Sequence, residues 1–199
     1  MANSSGGNNN NSGDDDSGRN NVLFQDDFSR TSSGWDREEY DYASTDYGDD
    51  VYRIEIWSED YFAWATPYQD FSDVVIEVET FKASGGDDNG FGIVCRHEDE
   101  ENFYFLEISS DGYVWIGKYY DAEYEVIDGG EASNVKTGSS TNSLRAECID
   151  DELSLYVNGE LELRVYDSDF NSGDVGIIAE TYTSTSTEIL FDNFIVTRP

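Results

Sequence analysis

DNGFGIVCRHEDEENFYFLEISSDGYVWIGKYY, residues 88–120, alternates apolar with other side chains in steps of two, broken only at short turn-forming clusters. That period marks β-strands, whose successive side chains point to opposite faces. One parity carries Ile93 and Cys95, then Tyr104, Leu106 and Ile108, then Val114 and Ile116, and is assigned to an interior. The other carries Val94 and Arg96, then Phe105 and Glu107, then Tyr113, Trp115 and Tyr119, and faces outward. Asp111-Gly112 stands between two such runs. A type I′ hairpin turn needs positive φ at both central residues, and Asp-Gly is one of the pairs that supply it.

The same rhythm extends along the chain from Val22. VYRIEIW (51–57) sets Tyr52, Ile54 and Ile56 on one face, and DVVIEVETF (73–81) does so with Val74, Ile76 and Val78. NSLRAECI (142–149), ELSLYVN (152–158), ELELRVY (160–166), DVGIIAETY (174–182) and TEILFDNFIV (187–196) follow. Each run is short, rich in β-branched and aromatic residues, and bounded by turn formers. Asn158-Gly159 predicts a second tight hairpin, Asp150-Asp151 a third, and Ser84–Asp88 a longer loop. Helical periodicity is nearly absent, with one candidate turn near Tyr68–Ser72. The reading is all-β, an antiparallel sandwich or barrel of about 12–14 strands.

The 199 residues include 44 Asp and Glu against 11 Lys and Arg, a formal charge of −33. Phosphate backbones and anionic lipid surfaces repel such a chain, which argues against a nucleic-acid role. No apolar run approaches the roughly 18 residues of a membrane span, so no direct membrane insertion is expected. Acidity of this degree usually accompanies disorder. Here 14 Tyr, 11 Phe and 4 Trp supply the apolar area of a folded core. The carboxylates therefore decorate a folded surface, either as the hydrated coat that suits a saline habitat or in part as oxygen ligands for Ca²⁺.

Residues 1–21, MANSSGGNNNNSGDDDSGRNN, have almost no apolar side chains and read as a low-complexity flexible tether. Residues 22–199 remain as one domain. The tether resembles the linker that follows the lipidated cysteine of bacterial surface lipoproteins. That likeness implies an extracellular or surface-tethered protein whose anchor has been removed. Cys95 and Cys148 are too few for a disulfide framework. One bridge, which an extracellular setting permits, and two buried thiols both fit. Their spacing matches no zinc pattern and His97 is the only histidine, which argues against a His/Cys metal site.

Residues 88–120, with SLRAECIDDELSLYVNGELELRVYDSDFNSGDVGIIAE (143–180) and ILFDNFIV (189–196), resemble concanavalin A-like (laminin-G-like) jelly-roll domains. The shared order is a strand ending in Arg96, an aromatic-rich strand, an Asp-Gly hairpin, paired strands bearing Tyr-Val-Asn-Gly, and a closing Phe-Asp-Asn-Phe strand. It covers Leu23 to Val196. The resemblance implies two curved antiparallel sheets in a jelly-roll sandwich, with ligands on the concave face or its loop rim. Related domains occur as carbohydrate-binding modules and beside family 16-type glucanases.

Glycosidases need two carboxyl groups about 5–10 Å apart. The glucanases of that resemblance set them on one strand as Glu-x-Asp-x-x-Glu. Glu39-Tyr40-Asp41-Tyr42-Ala43-Ser44 begins the pattern and lacks its last Glu, and Glu98–Glu101 falls in a turn. No nucleophile elbow is present either, so no catalytic residue is assigned and the chain is expected not to be an enzyme. An aromatic platform for sugar is the stronger candidate. Arg96, Glu107, Trp115, Arg145 and Glu147 are all outward by parity and are expected to share one open face. On a plain solvated sheet the same charges would merely pair across strands. Trp57 and Trp64 flank Ser58-Glu59-Asp60 and suit a sugar-gripping rim, whereas Trp35 suits a plug at the end of the core. Calcium, by the same resemblance, would sit where first and last strands meet, at Asp26 or Asp27 and at Asp192. The competing role for these aspartates is hydrogen bonding to neighbouring turn amides.

The expected function is non-catalytic binding of a poly- or oligosaccharide. One alternative is a structural or adhesion domain that binds a surface protein or self-assembles. A second is a glycoside hydrolase of the same fold.

Overall fold

The structure, a computed structural model, describes residues 21–183 and 186–199. The expected tether lies outside the described residues except for Asn21, whose carbonyl accepts the Arg198 N–H. Among the described residues there are strands and no helix. In chain order they are β1 (Val22–Asp26), β2 (Glu38–Glu39), β3 (Ala43–Gly48), β4 (Val51–Ile56) and β5 (Tyr61–Ala65). There follow β6 (Val74–Gly85), β7 (Gly90–Asp99), β8 (Asn102–Ser109), β9 (Tyr113–Tyr120) and β10 (Glu123–Glu131). The last five are β11 (Asn142–Ile149), β12 (Glu152–Val157), β13 (Glu160–Tyr166), β14 (Asp174–Thr181) and β15 (Thr187–Thr197). Among the described residues these fifteen strands just exceed the expected 12–14, because short polar strands carry little apolar alternation.

A nine-stranded antiparallel sheet runs β13-β12-β11-β6-β15-β4-β3-β2, with β1 paired to the C-terminal half of β15. A six-stranded sheet runs β10-β9-β8-β7-β14-β5. The core lies between them. Ile54, Ile76, Leu144, Leu155 and Phe191 of the larger sheet meet Ile93, Leu106, Ile116 and Ile177 of the smaller, all fully buried. Each such side chain is worth about 1.5–3 kcal/mol of burial. Cys95 on β7 and Cys148 on β11 form a disulfide between the layers. Trp35 plugs one end of the core against Phe28, Tyr52 and Phe194, at ring-centroid distances of 5.2, 5.4 and 4.9 Å.

The Asn158-Gly159 hairpin has positive φ at both residues, 52° and 91°, as a type I′ turn requires. The β8–β9 connection differs from expectation. Only Gly112 is left-handed there, at φ 102°, and its N–H returns to the Ser109 carbonyl. That is the three-residue hairpin with glycine at the left-handed position. Asp150 alone takes positive φ, 51°, between β11 and β12. Tyr68–Ser72 forms no helical turn, and Phe71 instead bridges Gly173.

Candidate functional site

Along the six-stranded sheet, alternation sends one set of side chains into the core and the other onto the far face. β5 contributes Phe62 and Trp64 to that face, β8 Phe103, Phe105 and Glu107, and β9 Trp115 and Tyr119. Their rings form a continuous pavement. Phe62 lies 5.4 Å from Trp64 and 4.7 Å from Tyr119, and Phe103 lies 5.2 Å from Tyr119. In a flat sheet β5 and β9, four strand spacings apart, would stand about 19 Å from each other. Their rings touch because the sheet curls and the pavement fills the hollow. β10 closes over it, with Tyr124 stacked on Phe105 at 5.0 Å.

Gly90 on β7 leaves room for Trp115 and Glu180 on this face. A Cβ there would lie 2.6 Å from Trp115 Cζ2 and 2.7 Å from Glu180 Cγ. Into this space come two carboxyl groups. Glu107 is wholly buried; its Oε2 accepts the Trp115 indole N–H at 2.8 Å, while Oε1 has no partner. Glu180, from β14, accepts the hydroxyls of Tyr182 and, at 3.4 Å, Tyr124. Burial and then the nearby Glu180 charge push Glu107 well above the usual carboxylate range. Burial raises Glu180 too, against the opposing hydrogen bonds from Tyr182, Glu107 and Tyr124. The two titrate as a pair, and Glu107, with fewer donors, is the member held protonated.

Where the pavement reaches β5, an open cleft of about 310 Å³ remains. Phe62, Trp64, Tyr40, Tyr42 and Tyr68 line it, with the His97 ring 6.0 Å from Trp64. Tyr40 stacks on Tyr42 at 5.4 Å, and Tyr42 on Tyr61 at 4.3 Å. Asp36, Glu38 and Glu100 complete the lining. Asp36 accepts the Thr66 N–H at 2.9 Å and the Tyr68 hydroxyl. The Asp36 hydrogen bond pushes Tyr68 up to about 12. Burial lowers His97 below its usual range, so its imidazole is neutral at neutral pH. A larger hollow of about 640 Å³ beside Asp26, Asp27, Glu77 and Glu79 has no exposed aromatic ring.

No protein-family model matches the sequence, and no curated protein does. Solved structures do match. The carbohydrate-binding module CBM66 from Bacillus subtilis gives a TM-score of 0.65 at 19% identity, over 82% of this chain and 95% of that one. A Bacteroides ovatus mixed-linkage glucan GH16, in complex with a G4G4G3G product, gives 0.64 at 11% identity, over 88% and 100%. The carbohydrate recognition domain of Emp47p gives 0.59 at 15% identity, over 94% and 99%. The fold is the concanavalin A-like jelly roll. At these identities the likeness is one of fold.

Within the jelly roll, Glu107, Trp115 and Trp64 stand on the same face of the six-stranded sheet. Glu107 is a correction in one respect: outward by parity, it is sealed under the rings that the curl brings together and cannot meet a ligand directly. Arg96 is a fuller correction. The pairing of β7 with β8 shifts after Cys95, and Arg96 takes φ 51°. This bulge turns Arg96 inward, where its Nη1 donates to the Phe170 carbonyl at 2.9 Å and Nη2 faces Asp73 at 3.4 Å. His97 takes the outward place, 6.0 Å from Trp64. Arg145 and Glu147 do not join the face either. They lie on the outer side of the nine-stranded sheet, where they pair with each other and Arg145 lies 4.8 Å over the Tyr156 ring. Parity separates inside from outside, but a sandwich has two outsides. Trp57 shares that larger sheet's outer side and donates its indole N–H to the Asp41 carbonyl at 2.7 Å.

The aspartates considered for calcium hold turns. Asp26 accepts the Phe28 N–H at 2.9 Å, Asp27 the Ser29 N–H at 3.1 Å, and Asp192 the Asn193 N–H at 2.7 Å. Among the described residues no group of three or more His, Cys, Asp or Glu is gathered for a metal ion.

Proposed function

We propose that this domain binds carbohydrate without chemistry, and that the cleft beside Trp64 is where a sugar ring is held. One observation carries the proposal: an open 310 Å³ recess with aromatic walls and carboxyl groups at its edge. Its size falls at the lower end of small-molecule sites, and an apolar wall with few polar groups is their usual lining. Pyranose C–H faces stack on rings such as Trp64, and carboxyl oxygens accept sugar hydroxyls. The shared fold with CBM66 and with the carbohydrate recognition domain of Emp47p supports the same reading. The Cys95–Cys148 bridge supports an oxidising location, extracellular or at a cell surface.

A glycan array followed by affinity electrophoresis tests this, with calcium and with EDTA in parallel. Trp64→Ala is expected to weaken retention at least tenfold, about 1.4 kcal/mol. Retention unchanged in that variant would place any sugar elsewhere. A flat array together with concentration-dependent self-association would favour the adhesion reading instead.

A further inference from the structure

We infer that the ligand of the Trp64 cleft carries a positive charge, as a sugar bearing a protonated amino group does. The inference rests on the carbohydrate reading and adds the chemical class of the sugar.

The cleft is suited to a cation on two independent grounds. The first is charge. Asp36, Glu38 and Glu100 line it, and no Lys or Arg does. His97, the one basic group present, is kept neutral by burial. Asp36 is already engaged by Thr66 and Tyr68. Among the described residues the carboxyl groups of Glu38 and Glu100 have neither an ion pair nor a side-chain hydrogen bond. The hydroxyl of Tyr40 responds to the same crowding: burial first, then Glu38, Asp36 and Glu100, raise it above the usual tyrosine range.

The second ground is the rings. Aromatic faces carry negative potential and attract an ammonium group, more strongly when it is partly desolvated. Trp64 and Tyr68 line a recess large enough for a small ligand. A neutral sugar would use the rings but leave two carboxylates without a counter-charge. An ammonium sugar uses both. The net charge of −33 would in addition draw a cationic ligand toward the domain over a Debye length.

Because any strongly acidic protein adsorbs polycations, the test uses a short ligand. Calorimetry would compare the β-1,4-linked glucosamine disaccharide with its fully N-acetylated counterpart and with cellobiose, on the whole chain and on two variants. The expected result is that the amine disaccharide binds at least tenfold tighter than the other two. Its advantage should fall as salt is raised, and Glu38→Gln/Glu100→Gln should erase it. Both positions are exposed, so that variant is expected to fold normally. Trp64→Ala should weaken all sugar binding. Equal affinity for the amine and the acetamide would overturn this inference while leaving the carbohydrate reading standing. Amine binding that Trp64→Ala leaves intact would also overturn it, as surface adsorption. No binding by any sugar here or on the array would sink both.

Discussion

At Glu107 the jelly roll holds a carboxylic acid, rather than a carboxylate, against an indole. Its folded pKa lies well above the 4.5 of an exposed glutamate. A carboxyl raised in this way contributes its stability in full below about pH 4.5, the unfolded value, and loses it as pH climbs through the folded value. The contribution of Glu107 to wild-type stability should therefore shrink from acid toward neutral pH. Glu107→Gln copies the neutral acid in shape, and its amide oxygen can still accept the Trp115 N–H. Its melting temperature should match wild type near pH 4.5 and exceed it at pH 8 by at least about 3 °C, the shift that about 1 kcal/mol gives in a chain of this size. Equal melting curves at pH 8 would mean that Glu107 is ionised at little cost. The outward parity of Glu107 was legible in the sequence, whereas its burial was not. Nothing local in FLEIS reveals that Trp115, Tyr124 and Tyr182 close over it. Arg96 failed for a different reason, since one left-handed residue reverses every later side chain in a strand.

At the scale of strands, what could be read depended on the kind of turn and the kind of face. The run 142–149 alternates cleanly because one side meets the core and the other is at least partly open to water. β10 does not alternate in this way: EYEVIDGGE is almost wholly exposed and highly acidic. Its hairpin is made by Asp121-Ala122, with φ of 50° and 65° and no glycine to announce it. Asp49-Asp50 does the same between β3 and β4, at 53° and 62°. β10 nevertheless supplies Tyr124, so the least legible strand completes the cover of the hollow. On the same face Gly90 leaves the room that Trp115 and Glu180 occupy. Gly90→Ala would force the added methyl against Trp115 and Glu180, and overpacking of that kind costs about 1–3 kcal/mol. Urea unfolding should show this loss with an unchanged slope, together with altered near-ultraviolet dichroism from Trp115. A variant as stable as wild type would show that the pavement can shift without strain.

Across the molecule, two layers must stay together while carrying a formal charge of −33. With 11 basic side chains against 44 acidic ones, complete pairing would still leave 33 carboxylates uncompensated. Self-repulsion of this size destabilises a compact state. Apolar side chains from both sheets oppose it, and so does the covalent link between β7 and β11. Cys95 and Cys148 lie 53 residues apart in sequence, and closing a loop of that size in the unfolded chain is worth about 4 kcal/mol on the chain-entropy account. The paired replacement Cys95→Ala/Cys148→Ala should therefore lower the melting temperature by about 8–16 °C. Raising salt should recover part of that loss, because screening relieves the repulsion that the bridge helps to resist. Reductant added to the wild type should reproduce the shift, and added to the double variant should do nothing. A double variant that melts within about 2 °C of wild type, less than about 1 kcal/mol, would mean that apolar contact between the sheets alone withstands the charge.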